Sequence, residues 1–336
     1  MKKLFYVLVI LSVFSCNGKK NIENTNDIID NYSYEEIVDV YQSKNGENID
    51  TTTMDTLLRR TEKDSLFTAI KRMGMGVQKA VYGIDNRKDY YQLTDEAIKK
   101  NSEKTCALIP IQLLYPLNDN EYKLLGTELG KRNNLCKGQN FYNDLSVSFC
   151  SGFAIGDSLI ATAGHCMNEN DFNFVFVFGF KQLVEGQQEF IIPKENVFSP
   201  RRIIKKKLDS SNDYGVYEVF GKIPCGRITK IEYEKVKKKQ RVYVIGHPSG
   251  ISQKVATQAT VREVNRFYAK ADLDTFGGNS GSPVFSAKTN KVVGILVRGE
   301  IDYIKSPDGC SITKICMQKD CQGEDFTLIE YIEDYY

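Results

Sequence analysis

Phe172-Asn173-Phe174-Val175-Phe176-Val177-Phe178 is aromatic or β-branched at six of seven positions. A run of that composition reads as a buried β-strand. Gly215-Val216-Tyr217-Glu218-Val219-Phe220, Arg241-Val242-Tyr243-Val244-Ile245 and Val292-Val293-Gly294-Ile295-Leu296-Val297 are of the same kind. Gly, Pro, Asn and Asp separate them, and such short strands between turn residues indicate a sandwich or barrel rather than alternating β and α units. From about Ala80 onward the chain therefore reads as all-β. The last apolar run, Phe326-Thr327-Leu328-Ile329-Glu330-Tyr331-Ile332, is expected to form a terminal helix.

Working outward, residues 32–79 change texture. Tyr34 to Tyr41, and Leu66, Phe67, Ile70 and Met73, fall at helical spacing until Gly74 and Gly76 break it. This stretch is expected to be a helical prosegment or a brace on the following domain, 80–336. Residues 16–31 are rich in Asn, Lys and Asp and read as a flexible tether. Residues 1–15 pair Lys2 and Lys3 with an apolar run from Leu4 to Phe14, too short to span a bilayer, as in a secretory signal. Cys16 directly after it makes Val13-Phe14-Ser15-Cys16 similar to a lipoprotein signal, with cleavage before Cys16 and acylation of its thiol. The expected location is the bacterial cell envelope, lipid-anchored at Cys16, or outside the cell after processing.

Composition bounds the function. The 336 residues carry a formal charge of +2, with 41% hydrophobic and 26% charged residues, nine cysteines and two histidines. Chains of that length hold one large domain with an appendage or two small ones. Near-neutrality gives no electrostatic case for nucleic acid, and loss of Lys2 and Lys3 with the leader balances the charges. If Cys16 carries lipid, eight cysteines remain, an even set suited to four disulfides in an oxidising compartment. Cys106, Cys136, Cys225, Cys310, Cys316 and Cys321 cannot be paired from sequence. A zinc site fits poorly, because the C-terminal spacings of six and five have no nearby histidine. No metal or cofactor is implied.

Three patterns carry chemistry, in order: Thr162-Ala163-Gly164-His165-Cys166, Asn212-Asp213-Tyr214-Gly215, and Asp274-Thr275-Phe276-Gly277-Gly278-Asn279-Ser280-Gly281-Ser282-Pro283-Val284. Singly, each has an ordinary explanation as a structural histidine or a turn. Together they meet the needs of nucleophilic hydrolysis: a base for the serine, a carboxylate that fixes the base's tautomer, and glycines that let backbone amides reach the reacting carbonyl. Asp209 is the alternative acid; Asp213 is preferred because a strand follows it directly. His247, in Gly246-His247-Pro248-Ser249-Gly250, reads as a structural loop histidine.

On these motifs, residues 80–305 resemble the chymotrypsin-fold serine endopeptidases, closest to their bacterial glutamyl-endopeptidase-like branch. Val81-Tyr82-Gly83-Ile84-Asp85-Asn86-Arg87 also resembles the start of that branch's mature chains. The resemblance implies two packed antiparallel β-barrels with the catalytic residues between them. It implies His165 as general base, Asp213 as its orienting acid and Ser280 as nucleophile, with the N–H groups of Gly278 and Ser280 as oxyanion hole. It also implies a Cys150–Cys166 disulfide beside the histidine. Asp274 stands six residues before Ser280, where trypsin holds its specificity aspartate, and with Thr275, Leu296 and Arg298 forms the candidate substrate pocket. Leu296 replaces the histidine with which glutamyl-type relatives bind acidic side chains, and Arg298 would be a substitute, so the residue preference stays open. Asn279 replaces the aspartate that pairs with a new N-terminus in trypsin-type zymogens, so activation is expected to proceed by removal of 17–79 near Lys79-Ala80. The expected partner is a protein or peptide substrate, cleaved through an acyl-enzyme. The alternatives are an esterase or narrow-range processing peptidase with the same triad, and a non-catalytic peptide-binding envelope lipoprotein.

Overall fold

The computed structural model describes residues 80–335, apart from 169–171, 228, 230, 232–234 and 317–320. The expected leader, tether, lipid-bearing Cys16 and helical segment 32–79 lie outside the described residues. Among those described, no helix is long and apolar enough to cross a membrane.

The first sheet contains β1 (Thr105–Pro110), β2 (Cys150–Ala154), β3 (Leu159–Thr162), β4 (Phe174–Phe178), β5 (Val197–Phe198), β6 (Pro200–Leu208) and β7 (Asp213–Val219). Their order is β5-β4-β1-β2-β3-β7-β6, and every pairing is antiparallel. Alternation in β4 explains its composition. Phe174, Phe176 and Phe178 enter one core cluster, where Tyr217 of β7 meets Phe174 and Phe176 edge-on at 5.6 and 5.4 Å. Val175 and Val177 occupy the opposite face and are buried as well.

The second sheet contains β8 (Arg241–Gly246), β9 (Lys254–Val264), β10 (Tyr268–Ala271), β11 (Pro283–Ser286), β12 (Val292–Arg298) and β13 (Glu324–Leu328). It runs β8-β11-β12-β13-β10-β9, and pairing of β8 with β9 closes it into a six-stranded barrel. The short strand Arg87–Asp89 adds to β9. Period two divides its side chains between two cores. Val242, Val244, Val284 and Leu296 fill the barrel. Their neighbours Tyr243, Ile245, Phe285, Ile295 and Val297 join the cluster that contains Phe174 and Tyr217. One continuous apolar core thus welds the two β-units, as the two-barrel expectation requires.

Two expectations need correction. The apolar run near the C-terminus begins as β13, hydrogen-bonded between β10 and β12, and the terminal helix, a 3₁₀ helix, starts only at Ile329 and runs to Tyr335. Barrel closure needs a strand there, and that pairing outweighs the local helical pattern. Of the four expected disulfides, three form among the described residues: Cys136–Cys310, Cys150–Cys166 and Cys316–Cys321. Cys106 lies mid-strand in β1, wholly buried in the first core, whereas Cys225 is exposed on a 3₁₀ turn, so these two do not meet. A thiol-directed maleimide applied to the folded, unreduced protein should modify Cys225. Denaturation without reduction should add Cys106. Modification of Cys136, Cys310, Cys316 or Cys321 would contradict this pairing.

Candidate active site

β3 ends at Thr162, and the chain turns through a 3₁₀ element, Gly164–Cys166, that carries His165. Gly164 is required because a Cβ there would lie 2.3 Å from the carbonyl oxygen of Lys207, on β6. β7, paired antiparallel with β3, begins at Asp213. Its carboxylate grips His165 twice: Oδ2 lies 2.7 Å from Nδ1, and Oδ1 accepts the backbone N–H at 3.0 Å. A carboxylate acceptor places the proton on Nδ1, leaving Nε2 as the basic nitrogen. Asp213 is 5% exposed, and its backbone carbonyl accepts from Thr327 Oγ1 at 2.9 Å, which ties it to the second barrel.

Asp209 takes no part in this grip. It is exposed, and its carboxylate accepts from the N–H groups of Ser211 and Asn212, both at 2.8 Å. Those bonds hold its pKa down to about 2, which marks it as the organiser of the β6–β7 turn.

Ser280 occupies the loop before β11, with its hydroxyl 3.4 Å from the Val297 carbonyl oxygen. Its own carbonyl accepts from Ser151 N–H of β2 at 2.8 Å. The disulfide that pins the His165 turn to β2 also touches this loop, with Cys166 Sγ 3.7 Å from the Ser280 carbonyl oxygen. The donor atoms of Cys150, His165 and Cys166 lie within 4.8 Å of one another. The two sulfurs are bonded to each other and so offer no thiolate to a metal. Gly278 and Gly281 both have left-handed backbones, φ +88° and +87°. A Cβ at Gly278 would meet His247 O at 2.6 Å, and at Gly281 it would meet Ser151 O at 2.1 Å. These glycines let the loop lie flat against its neighbours.

The family model of the trypsin-like peptidase domain matches residues 150–295, which span the histidine turn, Asp213 and the Ser280 loop. This region is similar to trypsin-like peptidase domains. A solved structure, of a Glu endopeptidase in complex with MPD, is similar over 76% of this chain and 96% of its own, with a TM-score of 0.44 and 14% sequence identity.

The remaining candidate residues fall in different places. Asp274 is buried, and its Oδ1 accepts Tyr82 N–H at 2.7 Å while Oδ2 accepts Asn86 N–H at 3.0 Å and its side-chain amide. Burial raises its pKa to about 6 against the lowering effect of the N–H donors. Thr275 gives its N–H to Ala80 O at 3.2 Å and its hydroxyl to Glu324 Oε2 at 2.8 Å. Leu296 is wholly buried in the second barrel core. Arg298 donates to Asp325 Oδ2 at 3.1 Å and to Ser210 O at 3.4 Å. His247 is buried, stacked on Phe180 with ring centroids 5.5 Å apart, and burial lowers its pKa to about 4.

Sequence reasoning missed Glu324, which is wholly buried and gathers Ala80 N–H, Tyr82 OH, Thr275 Oγ1 and Glu300 N–H. The available signal was an acid two residues before Phe326 on the inward period of β13. Asp274 and Glu324 together stitch residues 80–86 across the loop that precedes Ser280.

The Asp274→Ser variant tests that use of the acid. A peptide library should return the wild-type residue preference. Because its pKa is raised from an ordinary 3.8 to about 6, folded Asp274 holds its proton more tightly than the unfolded chain does. It therefore subtracts stability as pH rises from about 4 to 6. In denaturant titrations the wild type's advantage over the variant should shrink across that window. A changed preference, or a pH-independent difference, would contradict the anchoring role.

Proposed function

We propose that this chain is an exported serine endopeptidase in which His165, Asp213 and Ser280 act as one unit. The observation that carries the reading is the two-point grip of Asp213 on His165, at the starts of neighbouring elements beside the loop that bears Ser280. A histidine held by ring and backbone together has its tautomer and its direction fixed before substrate arrives.

In the proposed reaction Ser280 Oγ attacks the peptide carbonyl while His165 Nε2 takes its proton. The carbonyl oxygen becomes an oxyanion, bound by the N–H groups of Gly278 and Ser280. Collapse breaks the C–N bond, and the proton passes from His165 to the leaving amine. Water then attacks the acyl-enzyme with His165 again as base, and the carboxylic acid leaves. Asp213 stays ionised throughout and stabilises the imidazolium.

Three disulfides support an oxidising compartment. We place the mature start at Ala80, whose wholly buried backbone gives its N–H to Glu324 and accepts from Thr275. Cleavage after Lys79 would free the peptidase from an anchor at Cys16.

A fluorophosphonate probe tests both parts in one experiment. It should label the wild type and not Ser280→Ala, and the mass of the labelled species should correspond to a chain beginning at Ala80. Failure to label folded protein would overturn the nucleophile. A fully active labelled species that retains residue 17 would overturn the processing.

A further inference from the structure

Three carbonyls of the Ser280 loop are held from outside it. Gly277 C=O accepts from Ser249 N–H, Gly278 C=O from Ser151 Oγ at 2.8 Å, and Ser280 C=O from Ser151 N–H at 2.8 Å. The two ends of a trans peptide point in opposite directions. Drawing the Gly277 carbonyl toward Ser249 therefore turns the N–H of Gly278, the other end of the same plane, away from the 247–250 turn. A flip of that plane would exchange the donor for a carbonyl and break the bond to Ser249. The next plane is fixed through Ser151.

Proton accounting sets the sense of that second bond. Ser151 Oγ lies 3.0 Å from His247 N, a backbone N–H that can only donate. The hydroxyl accepts there and so has its single proton for the Gly278 carbonyl. Ser151 belongs to β2, in the first unit, and is wholly buried. One side chain thus couples the first sheet, the 247–250 turn and the Ser280 loop.

The turn itself carries strain. Ser249 has φ +50° and ψ 24°, a left-handed backbone that a non-glycine residue rarely adopts. Surrounding bonds hold it: its Oγ lies 2.8 Å from Tyr303 OH, and its carbonyl accepts from Ser146 Oγ at 2.6 Å. That conformation presents Ser249 N–H to the Gly277 carbonyl.

We infer that Ser151, with the left-handed Ser249, is a positioning residue that keeps the Gly278 N–H aimed at the reacting carbonyl oxygen. The inference rests on the proposed serine endopeptidase reaction. Ser151 touches no reacting atom in this scheme; it acts through the peptide planes on either side of Gly278.

The test uses the best-cleaved peptide of the library and its C-terminal aldehyde, whose adduct with Ser280 needs the same donors. In Ser151→Ala, kcat should fall about tenfold to a hundredfold, less than the loss of a whole oxyanion donor. KM should stay within about twofold, and aldehyde affinity should fall by the same factor as kcat. Ser249→Val, which disfavours the left-handed backbone, should give the same pattern and decides the matter if Ser151→Ala does not fold. A folded variant with wild-type kcat and aldehyde affinity would overturn the inference, as would losses that merely track the unfolded fraction by circular dichroism. Wild-type protein that the fluorophosphonate leaves unlabelled would instead refute the reaction on which the inference rests.

Discussion

The double hydrogen bond that His165 donates to Asp213 is the contact on which the rest of the site depends. One carboxylate spans the ring and the backbone of the same residue, so the imidazole can neither rotate nor exchange tautomers without breaking it. That geometry needs β3 and β7 to be neighbours in register, and Gly164 to let the turn pass against the backbone of Lys207 and Tyr214. The aromatic packing of Tyr217 against Phe174 and Phe176 holds β7 in place from its buried face. The Cys150–Cys166 bridge fastens the turn to the next strand, and a loop of that length is worth about 3 kcal/mol in the chain-entropy model.

The second half of the site is assembled from greater distances along the chain. Residues 80–86 return to Asp274, Thr275 and Glu324, so the loop before Ser280 is buttressed by a segment about 190 residues earlier in the sequence. Both acids are buried, and both accept from several donors. An ionised carboxylate in such a place is tolerable only because N–H and O–H groups replace the water it has lost. The positioning of Ser280 is thus tied to the docking of residues 80–86.

Much of this was legible in the sequence, and the reasons differ by element. Alternating Phe and Val in 174–178 declared a strand because period two and β-branching are local properties. The motifs around His165, Asp213 and Ser280 were legible because turn geometry needs glycine at fixed offsets from the chemistry. Cysteine pairing was not, since it depends on where β1 buries Cys106 and where a surface turn leaves Cys225. The strand at Glu324–Leu328 was hidden because its apolar spacing also suits a helix, and only its place between β10 and β12 decides. The short helix Glu96–Ser102, capped by Asp95, passed unnoticed in a segment that reads as β overall. Asp274 shows the limit of position alone. Its offset from Ser280 suggested a substrate contact, while its hydrogen bonds run to Tyr82 and Asn86.

Removing the charge of Asp213 while keeping its shape tests the central claim most directly. In Asp213→Asn the amide cannot hold Nδ1 as donor in the same way, and His165 loses its fixed tautomer. With circular dichroism unchanged, kcat on the preferred peptide at neutral pH should fall by about four orders of magnitude, while Asp209→Asn stays near wild type. An Asp213→Asn protein within tenfold of wild type, or an equal collapse in Asp209→Asn, would contradict the account.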